Sequence, residues 1–231
     1  MRIKLTGKII FASFILLLLI VLVWILNTDQ KTILEDNQAI IEDAGASNFL
    51  PVRSINKSDW VWGNEDALIE LIVYNDLSCL FCSRFNQVVE QIKTEFPEQV
   101  KIAYRHFPLD IQSESLNLAM AVECAGEQHK FMEMYQGIME SEDKINIVSE
   151  LITTLGLDQD KFNKCLTKEK YRDKIVDQMK EAKSFGALGA PSSFLNGQSL
   201  PGAYQFEDFV DQNGREYLGM KNLILKKLSG Q

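Results

Sequence analysis

Cys79-Leu80-Phe81-Cys82 sets two thiols two residues apart. Such a pair can close into a disulfide, open into a dithiol, or supply half of a metal site. Its surroundings favour redox chemistry. The apolar, β-branched run Leu68 to Tyr74 precedes it, and the helix-period run Phe85 to Phe96 follows it. This pattern puts the pair on the first turn of a helix that leaves a buried strand, the setting of a thioredoxin-like redox motif. A thiolate, not a thiol, attacks a disulfide. The unpaired N–H groups and partial positive charge of a helix N-terminus favour that form. Cys79, nearer the helix start, is therefore expected to be the nucleophile and Cys82 the resolving thiol, with Ser78 as the helix N-cap. A structural cysteine pair or half a zinc site is the alternative.

The strand and helix that hold the pair belong to a longer order. Val100 to Phe107 alternates as a second strand closed by Pro108, and a stretch with helical period and no strand signal follows. Gly186 and Gly189 end an amphipathic helix running from Tyr171 to Phe185. Ser192-Ser193-Phe194-Leu195 then leads to Asn196-Gly197, a strong hairpin signal, and Gln198 to Leu200 returns. A last helical region runs from about Gln205 to Leu228, interrupted near Asn213-Gly214. The expected order is strand, helix, strand, helical block, strand, strand, helix. That is an α/β thioredoxin fold with a helical insertion at about residues 112–168.

The chain has 231 residues, 46% of them hydrophobic, and a net charge of −8. The acidic balance argues against nucleic acid and against peripheral binding to anionic lipid. No glycine-rich phosphate loop or nucleotide fingerprint is present, so no cofactor is expected. Arg2, Lys4 and Lys8 are followed by an uncharged apolar run from Ile9 to Leu26, 18 residues long. That is near the lower limit for spanning a bilayer as a helix. With no small-x-small cleavage site directly after it, the run reads as an uncleaved transmembrane signal anchor rather than a cleaved signal. The positive-inside rule keeps residues 1–8 cytoplasmic and puts the rest outside, where disulfides persist. Residues 27–58 read as an extracytoplasmic linker and 59–231 as the catalytic domain.

Four stretches resemble the DsbA-like thiol-disulfide oxidoreductases. They are Trp62-Gly63-Asn64-Glu65-Asp66-Ala67, Tyr74-Asn75-Asp76 leading to the C-x-x-C, Tyr104-Arg105-His106-Phe107-Pro108-Leu109, and Gly189-Ala190-Pro191 before Phe194-Leu195-Asn196-Gly197. The resemblance covers roughly Asp59 to Leu228. It implies that Pro191 is a cis-proline facing the cysteines. It also implies that Ala190, just before it, offers backbone groups to an extended substrate by strand addition. Extended or unfolded exported proteins bearing thiols are then the expected substrates, and a membrane redox partner resets the active site. The resemblance favours an oxidase. A reductase or isomerase, or a non-catalytic binding module, remains the alternative. Two departures leave the redox poise open: Leu80 and Phe81 stand where relatives often have Pro and His, and Val73 where they often have a buried Glu.

Cys124 and Cys165 lie 41 positions apart, neither with a near cysteine. They read as a structural disulfide tying two helices of the insertion, as in some relatives, with two free buried thiols as the alternative. A zinc site joining them to Cys79 and Cys82 is disfavoured because they lack the close spacing of a zinc ligand pair. His106 reads as a structural, hydrogen-bonded residue, His129 as surface, and Asp76 as a loop cap.

Overall fold

The computed structural model describes residues 50–111 and 114–230. The expected cytoplasmic tail, the anchor at 9–26 and the linker up to residue 49 lie outside the described residues. Among those described, no helix is long and apolar enough to cross a membrane.

The elements run β1 (Trp60–Trp62), β2 (Ile69–Asn75), α1 (Leu80–Glu95), β3 (Val100–His106), α2 (Glu114–Gly126), α3 (Phe131–Glu140), α4 (Asn146–Thr154), α5 (Gln159–Thr167), α6 (Arg172–Ser184), β4 (Ser192–Leu195), β5 (Gln198–Pro201), β6 (Phe209–Val210), β7 (Glu216–Tyr217) and α7 (Met220–Leu228). Five strands form one sheet in the order β1-β3-β2-β4-β5. β2 and β3 run parallel, from Ile69 opposite Val100 to Asn75 opposite His106. The other three pairings are antiparallel. Parallel neighbours need a crossover, and α1 provides it. The strand β2 is apolar along nearly its whole length because both faces of the sheet are covered. Leu71 and Val73 point to the side of α1, α2 and α7, in a core with Phe85, Val89, Ile92, Met220 and Ile224. Ile72 and Tyr74 point to the other side, against Phe194 and Ala182 of α6.

The insertion expected at about 112–168 is the block α2 to α5. The helix α6 packs on the sheet and belongs to the basic fold. Two elements differ from expectation. A helical region from about Gln205 to Leu228, interrupted near Asn213-Gly214, was expected; β6 and β7 pair as a hairpin across that interruption, and only Met220–Leu228 is helical. Asp211 accepts N–H bonds from Asn213 and Arg215 across the turn, and Gly214 takes φ 81°, a conformation that glycine adopts readily. These local bonds outcompete the helix. The linker was also expected to reach residue 58, yet residues 50–59 are held on the domain. The Leu50 N–H bonds to the Ser184 carbonyl, and Arg53 bonds to Asp59 and Glu181.

That clamp joins a buried charge network. Arg105, 2% exposed, donates to both oxygens of Asp59 and to the Tyr74 hydroxyl. Burial disfavours the Asp59 carboxylate, but hydrogen bonds from Arg105 and Arg53 outweigh it and hold the group below its ordinary 3.8. Glu123 is similar: burial opposes its charge, while His106 and Lys174 hold it below 4.5. Its other partner is the Trp60 indole N–H at 3.0 Å, which places His106 in a structural network as expected. Carboxyls held low in the folded state stabilise it at pH values above their ordinary range, and that stabilisation is lost as pH falls through the folded values. The melting temperature should therefore hold above pH 5 and fall progressively as the pH drops below about 4.5. Asp59→Asn and Glu123→Gln should each flatten that drop. A melting temperature unchanged from pH 6 to 3 would contradict this account.

Candidate active site

Asp76 organises the loop that presents the cysteines. Its carboxylate is buried and accepts four bonds. Oδ1 takes the N–H and hydroxyl of Ser78, and Oδ2 takes the Leu109 N–H and the Ser115 hydroxyl, all at 2.8 Å. These tie the loop after β2 to the loop after β3 and to the start of α2. The backbone of Asp76 then serves the cysteines directly. Its carbonyl accepts the Cys79 N–H at 3.2 Å, and its N–H donates to the Cys82 Sγ at 3.4 Å. Asp76 was expected to be a loop cap, and these bonds are a cap's.

The expected N-cap, Ser78, does not cap the helix. Its hydroxyl is engaged by Asp76 and lies 2.8 Å from the Ser115 hydroxyl. Cys79 itself is the N-cap, in extended backbone conformation and with no side-chain cap bond. Its sulfur is thus free to point outward from the helix end. Cys79 is partly exposed and Cys82 is buried at 0% exposure, both as free thiols. Burial pushes the Cys82 thiol well up, and the Asp76 N–H offsets this only in part. The two sulfurs therefore differ in kind: Cys79 can meet a reagent, while Cys82 holds its proton in an apolar surround. Val73, at 1% exposure, shares that core, so β2 supplies no carboxylate there.

Facing the pair is the turn before β4. The Ala190–Pro191 peptide is cis, as is seen almost only before proline. The Ala190 carbonyl lies 3.8 Å from the Cys79 Sγ. The turn is anchored by the Ser192 hydroxyl on the Gly189 carbonyl and by the Gly202 N–H on the Pro191 carbonyl. Residues 111 positions apart in sequence thus meet at one point. Cys124 of α2 and Cys165 of α5 form a disulfide with their Cα atoms 5.8 Å apart. It lies apart from the exchanging pair, and among the described residues no cluster could hold a metal ion. The polar turn residue His129 is exposed. The sequence reading passed over Lys144, whose ammonium bonds to Ser83, the neighbour of Cys82. Nothing in its local sequence marks it, since the docking of the insertion alone brings it there.

A partly exposed thiol, a buried thiol one turn on, and a cis-proline turn against them define a thiol-disulfide oxidoreductase. The family described as thioredoxin matches residues 55–212, more than half of the chain, and the chain belongs to that family. Its DsbA-like character is carried by solved structures. The α-DsbA1 protein of Wolbachia pipientis is 26% identical, with a TM-score of 0.59 over 76% of this chain and 93% of that one. BdbD of Bacillus subtilis, 17% identical, shares the fold with a TM-score of 0.64 over 80% of this chain and 100% of that one. Among curated proteins, the Na(+)/H(+) antiporter NhaA 1 of Mycobacterium sp. (strain KMS) is 27% identical over 157 residues, which are 66% of this chain and 26% of that protein. The chain thus spans about a quarter of that relative's length.

Proposed function

We propose that this oxidoreductase is anchored in a membrane, faces the extracytoplasmic side, and forms disulfides in exported proteins through Cys79 and Cys82. The observation that carries this reading is the Cys79 Sγ set against the Ala190 carbonyl at the cis turn. An extended substrate lying along that turn by strand addition has its own cysteine delivered to Cys79. Alanine adds no side-chain bond, so recognition falls to backbone groups and apolar contact. A groove of about 640 Å³ that Phe81 of the C-x-x-C segment helps to line suits such a chain, with Val88, Tyr204 and Phe206 also lining it. Leu80 and Phe81 project at 62% and 59% exposure.

In the oxidised enzyme a substrate thiolate attacks the Cys79 sulfur. A substrate–Cys79 bond forms, the Cys79–Cys82 bond breaks, and Cys82 takes the electron pair and a proton. Burial favours that protonated product. The substrate's second thiolate then attacks the substrate sulfur of the mixed disulfide, and Cys79 leaves as thiolate. Two electrons now rest on the dithiol, and a membrane redox partner must remove them. The Cys124–Cys165 disulfide supports an oxidising compartment, and the apolar run Ile9 to Leu26 with its basic flank supports the anchor.

Cys82→Ala removes the thiol that attacks a Cys79–substrate disulfide in the reverse direction, so an adduct formed when the Cys79 thiolate attacks a substrate disulfide and displaces its other sulfur should be stranded. Expressed in cells, this variant is expected to carry mixed disulfides to exported proteins, released by reductant and absent when Cys79→Ala is added. Failure to recover any adduct while thiol-bearing exported proteins are abundant would overturn the assignment.

A further inference from the structure

We propose that Lys144 is a positioning residue for the redox reaction: its ammonium, docked from the insertion onto the first turn of α1, stabilises the reduced, thiolate-bearing pair relative to the Cys79–Cys82 disulfide. This rests on the reading of that pair as the exchanging site. The Lys144 Nζ donates to the Ser83 hydroxyl at 2.8 Å and to the carbonyls of Ile138 and Met139 at 2.8 and 2.9 Å. Those carbonyls close the C-terminal end of α3, where the helix dipole favours a cation. Ser83 follows Cys82, and its N–H bonds the Cys79 carbonyl at 3.1 Å. One ammonium therefore bridges the end of α3 and the turn that carries both sulfurs.

All three acceptors are neutral. Among the described residues, no carboxylate lies within ion-pair distance of Lys144. Glu90, Glu140 and Glu142 line the same cleft, but the Glu90 carboxylate is bound by Lys93 at 2.6 Å and the Glu140 carboxylate accepts from Gln136 at 2.6 Å. The Lys144 charge is thus held in place without being neutralised. Partial burial depresses the Lys144 ammonium, and negative charge on Cys82 and Cys79 acts in the opposite sense. Coupling of this kind is reciprocal. The strand offers only Val73 where an acid could have served; Asp76 is the carboxylate of the loop, and Lys144 is the cation that the insertion brings to this turn.

The test is the equilibrium of the full-length chain with glutathione, read as the reduced fraction of the Cys79–Cys82 pair by thiol alkylation and mass spectrometry. The pair gives two electrons and two protons to glutathione disulfide, whose S–S bond breaks as the Cys79–Cys82 bond forms. Lys144→Met is expected to move this equilibrium about tenfold toward the protein disulfide, or about 30 mV toward a lower potential. Lys144→Arg, which keeps a cation, should stay within about threefold of wild type. If Lys144→Met does not fold, Lys144→Gln replaces it with the same expected shift. A shift under threefold, even with a lower melting temperature, would make Lys144 a helix cap only and overturn the proposal, as would equal shifts for the Arg and Met variants. A wild-type pair that never exchanges with glutathione would instead bring down the redox reading itself, and this inference with it.

Discussion

Cys79→Ser is expected to lower the rate at which the reduced protein exchanges with a disulfide-linked peptide dimer by more than about a thousandfold, the scale of loss seen when a nucleophile is removed. Serine keeps nearly the same shape at the N-cap, so the fold should survive. What it lacks is a sulfur that can leave and return as an anion near neutral pH. Cys82→Ser should behave differently. The partly exposed Cys79 sulfur still attacks the peptide disulfide and releases one peptide thiolate, so one equivalent of mixed disulfide should form and then persist, with turnover lost. Stopped-flow exchange with a fluorescent, disulfide-linked peptide dimer separates the two variants. Retention of a tenth of the wild-type rate by Cys79→Ser would mean that another group does the chemistry.

The second large effect concerns stability. Removing the disulfide with Cys124→Ala and Cys165→Ala together should cost about 4 kcal/mol, from the closure entropy of a loop spanning 41 positions. For a domain of this size that corresponds to roughly 8–16 °C in melting temperature. Both cysteines are buried, at 1% and 5% exposure, so alanine also leaves a small cavity and the loss should not fall short of the entropic figure. Urea unfolding of the double variant measures it. Strong reductant on the wild type should give a similar loss. A change below about 1 kcal/mol would show that packing between α2 and α5, not the bond, holds the insertion.

The elements nearest the chemistry were legible because their signals are local. The apolar run before Cys79, the helix period after it, and Asn196-Gly197 each specify their own conformation. Asn196 and Gly197 take φ 47° and 84° in the hairpin, the left-handed region that such turns require. Pro191 was legible only through resemblance, since nothing local sets its cis bond against Cys79. Other features were not legible. The three-residue strand β1 is too short to show a period, and its place beside β3 depends on Trp60 meeting Glu123. Ser78 has the side chain of an N-cap, but the buried Asp76 claims it first. The hairpin at 209–217 hid under a helical pattern because each strand is two residues long. Lys144 reaches α1 only when the insertion folds back onto it, and two of the four bonds at Asp76 come from Leu109 and Ser115, remote in sequence.

The unequal exposure of the two sulfurs has a consequence for how the chain meets other molecules. With Cys82 at 0% exposure, bulky electrophiles and protein disulfides find one address. Toward solution the chain behaves as a monothiol, and it is a dithiol only toward a partner already joined to it. Every covalent adduct is then of one connectivity, with a built-in exit whose speed follows from intramolecular proximity rather than from the concentration of any reagent. An adduct through the buried Cys82 is closed off before it can form.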